Sequence, residues 1–276
     1  MTFLPNHAIV QAPGAEPVAT AFLLHGILGS LRNLRTFAVH LAAATPNLRY
    51  VLVDLRGHGD SHAAPPPHTL QACADDLVAL ARHLDVQPCA VVGHSFGGKV
   101  ALAYARQRPP GLRQVWVLDA TPAMRAGAEE DPHAVELLIQ ALRDVPQPFA
   151  DRTAVVAELA QRGFDPAICQ WMTTNVKPGP GGLVWRFDLQ VVEELLLSYF
   201  LQDDWPLLRD PPPGVRIDVV RAERSDRWTP DILSAFSTMP TDRVVLHLLR
   251  DAGHWLHADN LEGLVALLAP SLRACR

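Results

Sequence analysis

The feature that most constrains the fold of this chain is a series of short apolar runs that alternate with longer amphipathic segments. The runs are continuous, as in strands buried on both faces, and cover residues 18–24, 50–53, 90–92, 115–118, 217–220 and 244–249. Between them, apolar residues recur at helical spacing in residues 70–84, 96–107 and 261–268. This alternation predicts an α/β fold with a mostly parallel central sheet and helices on both faces.

The alternation is interrupted once, between residues 121 and 213. This stretch has almost no buried-strand run, and its helical patterns cover residues 133–143, 152–161, 166–175 and 190–202. A Gly/Pro cluster at 178–182 divides it, and a Pro-Pro-Pro-Gly sequence at 211–214 ends it. We therefore predict one core domain, residues 1–120 and 214–276, with a helical cap, residues 121–213, inserted into it.

Composition and charge narrow the class of protein. The formal net charge is −5, so no basic excess indicates binding to nucleic acid or to an anionic membrane. The N-terminal residues lack a charged segment followed by an apolar run, and no apolar stretch approaches the length of a membrane span. The four cysteines have neither metal-site nor disulfide-framework spacing. We expect a cytoplasmic protein with buried free thiols.

The strongest chemical signal is the sequence Gly-His-Ser-Phe-Gly-Gly at residues 93–98. It matches G-x-S-x-G, follows a buried-strand run and begins a helical pattern, which is the context of a nucleophile elbow. Glycines on both sides leave room for a tight turn that exposes a serine at the end of a strand. Ser95 is therefore the predicted nucleophile, and the N–H of Phe96 is a predicted donor to the oxyanion.

A second Gly-rich loop, His25-Gly26-Ile27-Leu28-Gly29, follows the first buried run. In an elbow-containing sheet this loop supplies the other oxyanion donor. We predict the N–H of Ile27, with that of Leu28 as the alternative. For His25 we expect mainly a structural role, hydrogen-bonded beside the site.

The sequence Asp251-Ala252-Gly253-His254-Trp255 follows the last strand run and places a histidine at the carboxyl edge of the sheet. His254 is the predicted general base, which takes the serine proton and returns it to the leaving group. Asp226, after the penultimate strand, gives the chain order Ser-Asp-His and is the predicted acid. Asp119, at the end of the strand run before it, is the alternative acid.

Other histidines favour structural interpretations. His247 and His257 lie on a strand pattern and at the start of the last helical pattern. His58, His62 and His68 are interpreted as solvated loop residues, because three prolines separate them and no metal-site pattern accompanies them. The turn at residues 54–61 lacks the Gly-Lys-Ser/Thr ending of a phosphate loop. We predict no metal site.

Together these motifs resemble the α/β-hydrolase superfamily, over residues 19–269. Residues 93–99, 252–258 and 183–188 are similar to the small capped serine esterases and thioesterases of bacteria and mitochondria. This resemblance implies hydrolysis of short-acyl esters or thioesters without a cofactor. In that group an earlier Asp often replaces the acid after the penultimate strand, which keeps Asp119 open, although Asp226 fits the general superfamily pattern.

These observations predict a carboxylesterase that cleaves short- to medium-chain esters of small molecules through an acyl-enzyme on Ser95. The alternatives are a thioesterase, a C–C bond hydrolase, a perhydrolase or a non-catalytic ligand receptor on the same fold. The predicted cap has no compact basic cluster, so we expect uncharged acyl groups. The residues expected to line the substrate pocket are His25, Leu28, Trp171, Met172, Tyr199, Phe200 and Trp255, whereas Trp185 and Phe187 are expected to be mainly structural.

Overall fold

The computed structural model of the protein describes residues 3–124 and 134–275. A seven-stranded sheet with the order β1-β3-β2-β4-β5-β8-β9 runs through its centre. β1 pairs antiparallel with β3, and the other neighbouring strands of this sheet are parallel. The strands are β1 (His7–Val10), β2 (Ala19–Leu24), β3 (Leu48–Val53), β4 (Ala90–His94), β5 (Gln114–Leu118), β6 (Val176–Gly179), β7 (Gly182–Trp185), β8 (Arg216–Ala222) and β9 (Val244–Leu249).

The predicted α/β architecture is confirmed, because each of the six apolar runs is a strand of the central sheet. β1 has no counterpart among the predictions. It is a four-residue edge strand with only Val10 buried, and its short apolar stretch, residues 8–10, was not identified as a strand.

Helices cover both faces of the sheet. They are α1 (Arg35–Ala44), α2 (Leu70–His83), α3 (Phe96–Arg106), α4 (Ala134–Arg143), α5 (Arg152–Gln161), α6 (Pro166–Met172), α7 (Leu189–Leu201), α8 (Trp205–Arg209), α9 (Pro230–Phe236), α10 (Leu256–Asp259) and α11 (Leu261–Arg273). Successive strand residues point to opposite faces, so Phe22 and Leu24 pack with α2 and α3 while Ala21 and Leu23 pack with α1 and α11. Both faces are therefore apolar, which explains the continuous runs.

The chain between β5 and β8 forms an insertion, and residues 125–133 of the predicted cap lie outside the described residues. It holds α4 to α8 and also an antiparallel hairpin, β6-β7, that the helical patterns did not indicate. Trp185 and Phe187 are buried at this hairpin with their rings stacked 5.3 Å apart, and Trp185 also packs against Phe149. Both are core residues of the insertion.

One buried lysine connects the insertion to helix α3 of the core. Lys99, on α3, is 1% exposed, and its Nζ donates hydrogen bonds to the carbonyl oxygens of Ala123, Tyr199 and Gln202 at 2.9, 3.0 and 2.8 Å. The three acceptors come from the first residues of the insertion and from the end of α7. All three ammonium hydrogens are therefore used to hold the start of the insertion against the end of α7.

All four cysteines are buried and free. Across residues 3–124 and 134–275, no helix combines the length and the apolar character that a bilayer crossing needs.

Candidate active site

Ser95 lies at a sharp turn between β4 and α3. Its backbone has φ 51° and ψ −116°, a conformation that costs a non-glycine residue about 1–3 kcal/mol. The turn depends on glycine at position 97, where a Cβ would lie 2.6 Å from the carbonyl oxygens of both Leu24 and His25. The close approach of α3 to the end of β2 brings Ser95 beside the loop that follows β2.

His254 follows β9 and donates from Nδ1 to Oδ2 of Asp119 over 2.8 Å. Asp119 is fully buried, and Trp228 Nε1, Ser225 Oγ and the Ala222 N–H also donate to it at 2.7–3.0 Å. Burial alone would raise the pKa of Asp119, but the hydrogen bond and charge of His254 together with the other donors hold that pKa below its ordinary value. Asp119 is therefore an ionised acceptor.

Asp119, the alternative acid, lies at His254 Nδ1, whereas Asp226, the predicted acid, does not. β5 and β8 are neighbours in register, so residues after either strand reach the same edge of the sheet. Asp119 directly follows β5 with φ 50° and turns inward, whereas Asp226 lies four residues beyond β8 and is exposed. The residues of that loop that do turn inward, Ser225 and Trp228, donate to Asp119.

The environment of His254 keeps its imidazole neutral. Burial lowers the pKa of His254 most strongly, the hydrogen bond to Asp119 raises it, and the nearby charge of Arg227 lowers it, with a net pKa below the ordinary value. His94 Nε2 donates to the backbone carbonyl of His254 over 2.7 Å, which fixes the loop that carries His254. A neutral ring with its Nδ1 proton on Asp119 leaves Nε2 free to accept a proton.

The two predicted oxyanion donors, Ile27 and Phe96, line the same cavity as Ser95. Phe96 is the first residue of α3, so its N–H has no acceptor one turn earlier in that helix. The alternative donor Leu28 is excluded, because its N–H donates to His58 Nε2 over 3.0 Å.

His58 is therefore not the solvated loop residue that its sequence context indicated. It is fully buried, its Nδ1 donates to the Arg56 carbonyl, and burial lowers its pKa to about 3. Both ring nitrogens of His25 are also hydrogen-bonded: Nδ1 donates to the Gly26 carbonyl, and Nε2 accepts from the Leu55 N–H. These two neutral rings shape the loop that carries Ile27, in keeping with the structural role expected for His25.

A cavity of about 770 Å³ opens above Ser95, between the core and the insertion. Its wall is mainly apolar and includes the predicted residues His25, Trp171, Tyr199, Phe200 and Trp255. The prediction that Leu28 and Met172 line the pocket is wrong, because both side chains are fully buried and neither lines the cavity. Met172 follows Trp171 on α6, and consecutive helical residues point about 100° apart, so only one of them faces the cavity.

Arg227 also lines this cavity, and sequence reasoning missed it. Its Nε lies 3.1 Å from His254 Nδ1. The expectation of an uncharged pocket considered only the cap, whereas Arg227 comes from the core loop after β8. A basic residue one position after the suspected acid was the available signal.

No metal centre is found in the described parts of the chain, where no group of three or more His, Cys, Asp or Glu side chains is arranged to hold an ion.

Comparisons with known proteins agree with the fold described above. Residues 22–160 match the family model for the alpha/beta hydrolase fold. The sn-1-specific diacylglycerol lipase ABHD11 of Xenopus tropicalis is 29% identical over 257 residues, which cover 89% of this chain and 75% of that protein. Esterase YbfF of Escherichia coli is 25% identical over 88% of this chain and 89% of that one. The structure of a marine microorganism esterase superposes with a TM-score of 0.81 at 19% identity, covering 98% and 99% of the two chains.

Proposed function

The chain belongs to the α/β-hydrolase fold family, and on that premise we propose that it is a serine carboxylesterase acting on short- to medium-chain esters. Names of its relatives support hydrolase activity of the esterase or lipase type. The observation that carries the finer proposal is the 2.8 Å hydrogen bond from His254 to the ionised, buried Asp119, with His254 in the same cavity as a strained Ser95.

In this mechanism, Ser95 Oγ attacks the ester carbonyl carbon while His254 Nε2 takes its proton. Asp119 holds the proton on Nδ1 and stabilises the imidazolium that forms. The N–H groups of Ile27 and Phe96 donate to the oxygen that becomes negative, and loss of one such donor costs about 3 kcal/mol. His254 then gives its proton to the leaving alcohol, and the acyl group remains on Ser95. Water, activated by the same imidazole, releases the acid.

The proposed role of the insertion is that of a cap that limits substrate size. Trp171, Tyr199 and Phe200 contribute apolar surface opposite Ser95. A cavity of about 770 Å³ is in the range that encloses a small organic ligand. The proposed preference for short and medium acyl chains rests on the cover that the insertion places over the cavity rather than on its volume.

Labelling with a fluorophosphonate tests the nucleophile. We expect the probe to modify the wild-type protein at Ser95, as mapped by peptide mass spectrometry, and not to modify Ser95→Ala. Ser234→Ala removes an exposed hydroxyl on α9 and is the matched control, which should label fully. Turnover of p-nitrophenyl butyrate should fall by at least about three powers of ten in Ser95→Ala and in His254→Ala. A ligand receptor with a dead site would not label, and label on another residue would contradict the assignment.

A substrate series tests the chain-length claim and separates the alternatives. We expect kcat/KM for p-nitrophenyl esters to peak at short to medium acyl length, with little action on emulsified long-chain triglyceride or diacylglycerol. The name of the Xenopus relative makes diacylglycerol the informative comparison. A profile that rises toward long chains with interfacial activation would indicate a lipase, and a large preference for acyl-CoA would indicate a thioesterase.

A further inference from the structure

Arg227 places a positive charge inside the candidate active site. It lies on the loop between β8 and α9, is half-buried, and lines the cavity together with Ser95 and His254. Cavity walls of enzymes carry few charged groups, and those present commonly orient the substrate.

The one hydrogen bond described for the guanidinium does not satisfy it. Arg227 Nε lies 3.1 Å from His254 Nδ1, while Oδ2 of Asp119 lies 2.8 Å from the same nitrogen. In the tautomer that can accept the serine proton, Nδ1 carries a hydrogen and has no lone pair for Arg227. Within residues 3–124 and 134–275, no carboxylate oxygen lies within 4.0 Å of the Arg227 nitrogens, so the five N–H donors of this cation have no ion-pair partner among these residues.

The same charge works against the proposed reaction when the substrate is neutral. It lowers the pKa of His254 and opposes the imidazolium that forms as Ser95 attacks. An anion bound by Arg227 would offset this repulsion. Among the described residues of the wall, the other charged side chain is that of Asp259, which is exposed and whose carboxylate accepts the Gly253 N–H.

We propose that Arg227 binds a carboxylate on the acyl part of the substrate, so that the preferred substrates are half-esters of dicarboxylic acids. This inference rests on the proposed esterase function and identifies its substrate class. A planar guanidinium matches the two oxygens of a carboxylate, and the apolar wall suits the methylene groups between that carboxylate and the ester.

A pair of esters of similar shape tests the proposal. Monoethyl succinate carries a carboxylate where ethyl levulinate carries a neutral methyl ketone. Ethanol release is measured with a coupled dehydrogenase at pH 8, where the carboxylate is ionised and the base is neutral. The readout is the ratio of kcat/KM for the anionic ester to that for the neutral ester, because damage common to both reactions cancels. Monoethyl glutarate and adipate vary the spacer.

The wild-type protein should prefer one of the anionic esters, and Arg227→Gln should lower the ratio about 10- to 100-fold, the range for a charge-assisted hydrogen bond. Arg227→Lys keeps the positive charge but loses the planar guanidinium that can bind both carboxylate oxygens, so its ratio should lie between those of Arg227→Gln and the wild type. Arg224→Gln is the matched control: this arginine lies on the same loop, is exposed, donates to the Asp251 carbonyl, and should leave the ratio unchanged.

The outcomes separate this inference from the proposed function. The inference alone is overturned if turnover depends on Ser95 but the ratio is unaffected by Arg227→Gln. It is also overturned if the wild-type protein prefers the neutral ester to all three anionic esters. Absence of Ser95-dependent turnover of every ester overturns both. Circular dichroism and fluorophosphonate labelling identify a variant that has not folded, and Arg227→Lys then supplies the result.

Discussion

The substitution Asp119→Asn gives a sharp test of the proposed catalytic unit, because every oxygen of Asp119 is an acceptor. Oδ1 accepts from the indole N–H of Trp228 and from the backbone N–H of Ala222, and neither donor can become an acceptor. An asparagine amide must therefore put its oxygen at that position. Its NH2 group then faces His254 Nδ1 and Ser225 Oγ.

The consequence for His254 follows from hydrogen-bond counting. Facing an NH2 group, Nδ1 must be unprotonated, so the proton moves to Nε2, where it blocks acceptance of the proton from Ser95. The same exchange in a Ser-His-Asp protease lowers kcat about 10⁴-fold by fixing the wrong tautomer. We expect a similar loss here, which corresponds to about 5.5 kcal/mol of transition-state stabilisation. Loss of the charge-assisted bond should also cost about 1.5–3 kcal/mol of folding stability.

The assay is kcat/KM for p-nitrophenyl butyrate, with circular dichroism and urea unfolding to establish that the variant is folded. Asp226→Asn is the matched control, because it makes the same chemical change on the exposed residue of the neighbouring loop, and we expect less than about a threefold effect. A larger loss in Asp226→Asn than in Asp119→Asn would refute this reasoning and return the acid role to Asp226.

Three further predictions follow from the site. Because the pKa of His254 is lowered, kcat/KM in a pH–rate profile should stay constant down to below pH 6.5 and fall as the pH drops through that pKa. Arg227→Gln removes a charge that lowers this pKa, so the fall in kcat/KM should move to higher pH. His58→Leu leaves the Leu28 N–H without its acceptor and should cost about 1–3 kcal/mol by urea unfolding, whereas a normal stability would contradict the role given to this bond. Gly97→Ala should cost at least about 3 kcal/mol and abolish fluorophosphonate labelling, and a folded, labelled variant would contradict the close approach described.

The sequence was sufficient to predict those parts of the molecule that depend on neighbouring residues. Ser95 lies in a turn whose strand, glycines and helix are contiguous, and the six core strands carry their burial as continuous apolar runs. The strand β1 and the pairing of β6 with β7 were not predicted, although a short extended piece was expected around Trp185, because short strands that are partly exposed have weak period-two patterns that resemble loop sequence.

The features of the site that the sequence did not predict depend on contacts between residues that are distant in the chain. Asp119 and Asp226 both follow strands that end at the same edge of the sheet, and the inward turn of one backbone decides between them. Leu28 fitted the sequence pattern of an oxyanion donor, but its N–H donates to His58, which lies 30 residues later in the chain. Arg227 faces the cavity for the same kind of reason: its orientation is set by how the loop after β8 packs, with Trp228 turned inward onto Asp119.

The hydrogen bonds of Lys99 bear on how freely the insertion can be exchanged. One ammonium group joins the first residues of the insertion to the end of α7. It adds to other contacts between the insertion and the core, such as the hydrogen bond from the Leu70 N–H to Ser198 Oγ. The entropy of closing a loop grows only with the logarithm of its length, about 0.6 kcal/mol for each doubling. A change in the length of the inserted segment should therefore cost little closure entropy, provided that the residues that contact the core, such as Ser198, are kept. The acceptors of Lys99, Ala123 on one side and Tyr199 and Gln202 on the other, are the limits within which such a change should be made.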